Sequence, residues 1–105
     1  MKDWTLEEVE KRLVEEMETG FMLYLYTPLC GTCMVASKML NVVQAIMKEQ
    51  QFAKIDLNYA PQLAETYKVE SVPCLLIFRQ GKLKEKIYAF QSVPYLVDII
   101  QKKIS

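Results

Sequence analysis

The chain has 105 residues, 51% hydrophobic and 25% charged, as in ordinary globular proteins with one modest core. Thirteen basic residues balance thirteen acidic ones, which argues against electrostatic attraction to nucleic acid or an anionic membrane. There is no histidine, so imidazole is available neither as a base nor as a metal ligand.

In chain order, Thr5, Leu6, Glu7 and Glu8 have the form of a capping box that opens a helix. Leu6, Val9, Leu13 and Met17 recur at helical intervals, and Gly20 is the expected stop. The remaining face of this Glu-rich helix reads as solvated. Residues 21–26 form an apolar run that reads as a short buried strand, with Phe21, Leu23 and Leu25 on one face and Met22, Tyr24 and Tyr26 on the other. After a turn at Cys30, a second helix is expected to about Glu49, with Met39, Val43, Ile46 and Met47 as its stripe. Residues 52–57 read as a second strand. Asn58 and Pro61 mark a turn and the start of a helix that reaches about Tyr67. The most apolar run follows Val72 and Pro73, from Cys74 to Phe78. Gln80, Gly81 and Lys82 look like a hairpin turn into a strand from Leu83 to about Ala89, and Ser92 and Pro94 open a last helix in which Leu96, Ile100 and Ile104 align.

Strands alternating with helices favour a sheet sandwiched between helices, with a right-handed first crossover. No linker or repeat interrupts the pattern, so a single domain is expected over 1–105. The start carries no apolar signal segment and no run approaches membrane-spanning length, which points to the cytoplasm. Trp4 and the methionines read as core or edge packing.

Three cysteines are too few, and of the wrong parity, for a disulfide scaffold; in a reducing compartment a lone pair reads as catalytic or metal-binding. Cys30, Gly31, Thr32 and Cys33 sit between the first apolar run and the second helical pattern. Two cysteines three positions apart span one helical turn and can close into a disulfide. A helix N-terminus carries unpaired N–H groups and partial positive charge, so a cysteine placed there loses its proton more readily, and the thiolate is the nucleophile. The arrangement points to reversible thiol–disulfide exchange with no cofactor beyond the pair itself. The competing readings are an inert pair of small hydrophobic side chains and a metal site. Structural zinc needs four ligands, so with three cysteines only a site shared between chains would suffice, and an iron–sulfur cluster bridging two chains is the better version of that idea.

On these residues the chain resembles the thioredoxin family over nearly its whole length. The strand, Cys30–Cys33 turn and helix match the family's redox motif. Lys54, within Ala53, Lys54, Ile55 and Asp56, matches a strand lysine lying beneath the cysteines. Val72 and Pro73, about forty residues further on, match the family's cis-proline, and Gly81 matches the glycine of the terminal hairpin. The resemblance implies an α/β thioredoxin fold: a central mixed four- to five-stranded sheet flanked by helices on both faces. The family's first strand precedes helix one, where this chain offers only Met1 to Trp4. Leu29 and Thr32 replace the family's usual tryptophan and proline, Tyr24 stands at the position of a buried carboxylate, and Tyr88 stands at that of a glycine near the substrate groove.

The resemblance implies a protein disulfide reductase in which Cys30 attacks and Cys33 resolves, with Gly31, Thr32, Lys54 and Pro73 supporting the pair. Leu29, Val72 and Tyr88 would form an apolar rim for the partner. Disulfide-containing proteins would be the substrates, and a reductase or a low-molecular-weight thiol the electron donor. The protein is expected to act as a monomer with neither nucleic acid nor membrane as partner. A rival reading keeps the fold as an adaptor module whose redox activity is incidental. With tyrosine at position 24, the proton acceptor for Cys33 is left to Asp56, Lys54 or entering water, because a phenol ionises only near pH 10. Thr32 restores an N–H near the Cys30 sulfur that proline would lack, which should make the couple slightly less reducing than thioredoxin's. Cys74 reads either as a buried strand cysteine or as an extra thiol close to the pair.

Overall fold

The computed structural model describes residues 1–15 and 19–105. Strand β2 (Gly20–Tyr26) lies at the centre of the sheet. Its residues Phe21 to Leu25 are all buried, as an unbroken apolar run requires when both sheet faces are covered. Around it stand β1 (Lys2–Asp3), β3 (Gln51–Asp56), β4 (Cys74–Arg79) and β5 (Lys82–Ile87), in the order β1-β3-β2-β4-β5. β1 and β2 run parallel to β3, whereas β4 runs antiparallel to both β2 and β5. The sheet is therefore mixed and five-stranded. The first strand is present but only two residues long, and the N–H of Trp4 extends its hold by donating to the Lys54 carbonyl at 2.8 Å.

Among the described residues four α-helices cover the sheet: α1 (Leu6–Val14), α2 (Gly31–Ile46), α3 (Pro61–Tyr67) and α4 (Val93–Ile104). The alternation of β2 sorts the core into two clusters. Met22 and Tyr24 pack with Leu75 and Ile77 beneath Ala36, Leu40 and Val43 of α2 and Leu96 and Ile100 of α4. Phe21, Leu23 and Leu25 pack with Ala53, Ile55, Cys74, Leu76 and Phe78 beneath Val9 of α1 and Leu63 of α3. Trp4 stacks on Phe21 with ring centroids 5.1 Å apart, the edge packing expected of it.

The local signals act as their chemistry requires. The Thr5 hydroxyl accepts from Glu8 N at 3.1 Å while the Glu8 carboxylate accepts from Thr5 N at 3.0 Å, closing the capping box. Ser92 Oγ accepts from Tyr95 N at 3.2 Å and starts α4. Gln80 and Gly81 both adopt positive φ, 54° and 75°, the geometry of a tight hairpin turn.

Other expectations are corrected. Gly20 does not stop a helix; it is the first residue of β2, and a Cβ there would stand 2.5 Å from Cγ2 of Ile104. α1 is described to Val14, and Met17 lies outside the described residues. α2 ends at Ile46 rather than near Glu49, and its buried stripe is Cys33, Ala36, Leu40 and Val43, continued by the cap residue Met47. Ile46 is 56% exposed, because the helix turns its Leu40 side to the sheet. Strand β5 stops at Ile87, so Tyr88 and Ala89 leave the ladder.

Candidate redox site

The site is built where β2 ends and α2 begins. Cys30 is the N-cap of α2, with extended backbone (φ −91°, ψ 107°), and its sulfur accepts from the Cys33 N–H at 3.2 Å. Cys30 and Cys33 are joined by a disulfide with Cα atoms 5.2 Å apart. Cys33 is buried at 3% exposure, while Cys30 is half-buried and Leu29 beside it is 99% exposed. One sulfur thus stands at the mouth of the helix and the other one turn inside. The first turn of α2 holds no acidic side chain, so none from the helix itself offsets the positive end of its dipole at the Cys30 sulfur. An added Cβ at Gly31 would meet nothing within 4 Å, and approach to Cys30 from that side is open.

Two further elements face the pair. The Thr32 hydroxyl lies 3.4 Å from Cys30 Sγ and is the donor there, since a disulfide sulfur carries no proton. The contact from residue 32 is thus its hydroxyl, and the N–H that reaches the sulfur belongs to Cys33. Val72 O lies 3.9 Å from the same sulfur, and the Val72–Pro73 peptide is cis, as the resemblance implies. Thr32, Pro73 and Tyr88 border one cavity of about 470 Å³, together with Val35, Phe90 and Met39, the last expected only as part of the α2 stripe.

Beneath the pair, Tyr24 is fully buried, and its hydroxyl donates to Cys33 O at 2.8 Å and accepts from Ser37 Oγ at 3.2 Å. Burial raises the Tyr24 phenol above its ordinary range, with the Ser37 hydrogen bond opposing in part. It is a structural donor and no base at neutral pH. Ser37 escaped the sequence reading, although its spacing four residues after Cys33 sets both on one side of α2. Lys54 pairs in register with Tyr24 and so shares its sheet face. Its ammonium is engaged 3.8 Å from Asp3 Oδ2 and 5.3 Å from the centroid of the Tyr26 ring. Asp56 has a partner of its own: its Oδ1 accepts from Asn58 N at 2.9 Å and caps the short 3-10 turn Leu57–Tyr59.

Cys74 belongs to the cluster under α1 and α3, on the opposite sheet face from α2. It is wholly buried and free, and desolvation pushes its thiol up to about 12, with Lys86 opposing. The reading that placed its sulfur close to the Cys30–Cys33 pair is therefore corrected: strand alternation aims it the other way. Among the described residues no group of three acidic or cysteine side chains is placed to hold a metal, and no helix is long and apolar enough to cross a membrane.

A cystine across the first turn of a helix, facing a cis-proline loop on a mixed sheet, defines a thiol–disulfide oxidoreductase. Comparison with known proteins agrees. A sequence profile of the thioredoxin family matches residues 3–102, and the chain belongs to that family. It is 45% identical over 101 residues to the thioredoxin-like protein YusE of Bacillus subtilis, covering 95% of each chain. Thioredoxin of Chlamydia trachomatis is 26% identical, with 89% of this chain and 92% of that protein covered. The thioredoxin of Fasciola hepatica superposes with a TM-score of 0.85 at 20% identity, covering 98% of this chain and 99% of that one. A single-site mutant of a Halobacterium salinarum thioredoxin superposes with a TM-score of 0.82 at 24% identity, covering 100% of this chain and 90% of that one. At such identities the structural likeness speaks for the fold alone.

Proposed function

We propose that the chain is a protein disulfide reductase in which Cys30 attacks and Cys33 resolves. The observation that supports it best is the placement of the Cys30 sulfur at the helix N-cap, 3.9 Å from Val72 O, with Cys33 buried one turn deeper. In the reduced protein the Cys30 thiolate attacks one sulfur of a partner's cystine. The partner's S–S bond breaks, its other sulfur leaves as a thiolate and takes up a proton, and a mixed disulfide forms at Cys30. Cys33 then loses its proton and attacks Cys30 Sγ. That step breaks the mixed disulfide, releases the second partner thiol and closes the Cys30–Cys33 bond. Two electrons have passed from the chain to its partner, and an external thiol or a reductase must return them. The partner's backbone beside the attacked sulfur lies along Val72, whose N–H and C=O serve it as a short added strand. Leu29, wholly exposed at the mouth, adds apolar contact.

The test is a Cys33→Ser variant incubated with protein disulfides. It is expected to accumulate mixed disulfides through Cys30, identified by mass spectrometry, whereas Cys30→Ser accumulates none. A Cys30→Ser variant that still reduced insulin would overturn the assignment.

A further inference from the structure

Tyr88 occupies the groove beside the redox pair, and its hydroxyl is fixed at both of its hydrogen-bonding functions. It accepts from the Glu70 N–H at 3.1 Å and lies 3.4 Å from the Lys68 carbonyl, to which it donates. Two residues earlier, near the end of β5, the Lys86 ammonium donates to the carbonyls of Tyr67 at 3.0 Å and Lys68 at 2.8 Å. Lys68 is the left-handed cap of α3, with φ 55°, so Lys86 and Tyr88 together satisfy carbonyls that the helix end leaves open. These bonds tie the end of β5 to the segment that runs from Lys68 into the cis Val72–Pro73 bond. Tyr88 also borders the cavity shared by Thr32 and Pro73, while it packs against the cluster beneath α1 and α3. A tyrosine held at its far end cannot swing aside when a partner enters, so its bulk is a fixed part of the groove.

Resting on the reductase reading above, we propose that Tyr88 selects disulfide substrates by the size of the residue next to the attacked sulfur. It admits cystines with small flanking side chains and disfavours those flanked by large aromatic ones. It is also a positioning residue, because through Glu70 it holds the loop before β4 on which the partner's backbone docks.

The test uses two synthetic cystine peptides that differ only in the residue after the attacked cysteine, glycine in one and tryptophan in the other. The reduced protein is expected to favour the glycine peptide by at least about tenfold in kcat/KM, the scale on which a filled apolar pocket discriminates. Tyr88→Ala is expected to shrink that preference to within about twofold. Tyr88→Phe keeps the ring but loses the hydroxyl that holds it in place, so its preference should fall between those of the unsubstituted protein and Tyr88→Ala, and hydrogen exchange at the Glu70 amide should rise by roughly three- to tenfold. Equal rates for both peptides in the unsubstituted protein, or an undiminished preference in Tyr88→Ala, would overturn the selectivity. Unchanged exchange at Glu70 in Tyr88→Phe, a readout that needs neither turnover nor the alanine variant to fold, would overturn the positioning role. An unsubstituted protein that reduced neither peptide would overturn the reductase reading and the selectivity with it, while the exchange result would stand alone.

Discussion

Cys33 and Cys74 are both buried sulfurs in the same small protein, yet they lie on opposite faces of the sheet and in different chemistry. Cys33 sits in the first turn of α2, bonded to Cys30, within reach of a helix dipole and one turn from solvent. Cys74 sits in a strand among Leu25, Leu76 and Phe78, where burial pushes its thiol up to about 12. Depth in the molecule does not decide which sulfur reacts. What decides it is whether the backbone around the sulfur supports negative charge.

The largest expected effect extends that contrast to Cys30, the partner of Cys33. In reduced protein at pH 8, iodoacetamide should label Cys30 and leave Cys74 unmodified. A thiol at about 12 carries about a thousandfold less thiolate than one at the ordinary 9.0. Labelling of Cys74 at the rate of a peptide thiol would erase the distinction. The same burial has a consequence for stability. Unfolded, the Cys74 thiol ionises near its ordinary value; folded, it stays protonated up to about 12. Its contribution is thus complete below about pH 9 and is lost as pH rises toward 12, at about 1.4 kcal/mol per pH unit over that window. Burial raises the Tyr24 and Tyr67 phenols too, so they add to alkaline loss. Urea titrations at pH 8 and pH 11 should show a smaller loss in Cys74→Ala than in the parent chain.

The next effect concerns the floor of the reactive face. Tyr24 hydrogen-bonds Cys33 O but cannot take a proton at neutral pH. Tyr24→Asp places a carboxylate there, raised by the same apolar surroundings toward neutrality. It should speed release of the mixed disulfide by about a hundredfold, the lower range of general-base assistance. Stopped-flow measurement of the resolving step would show it, and an unchanged rate would mean that water already serves as base. The smallest effect belongs to Thr32. Thr32→Val keeps the shape and removes the hydroxyl that lies 3.4 Å from Cys30 Sγ. The reduced form should lose that support and the couple should become more reducing by about 30 mV, a tenfold change in its equilibrium with glutathione. A shift in the opposite direction would show that the hydroxyl does not support the thiolate.

Much of this arrangement was legible in residue order, because its signals are local. A capping box, an N-cap cysteine, an apolar run that alternates faces and a Gln80–Gly81 turn each depend on a few neighbouring residues. What escaped depends on contacts far along the chain. Gly20 resembles a helix stop until Ile104, at the other end of the sequence, is found packed against it. The stripe of α2 is ambiguous because Val35, Val42 and Ile46 are as apolar as the residues that face the sheet. Tyr88 reads as part of an apolar rim, but its hydroxyl is committed to the backbone of residues 68 and 70, which no spacing rule discloses. Lys54 and Asp56 share a face in sequence, yet other partners claim both: Asp3, from the start of the chain, and Asn58, two residues on.

The meeting of Gly20 and Ile104 also fixes which way the molecule can be held. β2 runs from Gly20 toward Cys30, and its seven residues span roughly 20 Å at the usual rise per residue. The last turn of α4 is anchored at the far end of that span. A tether added after Ser105 would therefore leave from the pole away from the sulfurs, and protein fixed to a surface by that end would present its reactive mouth to the solution.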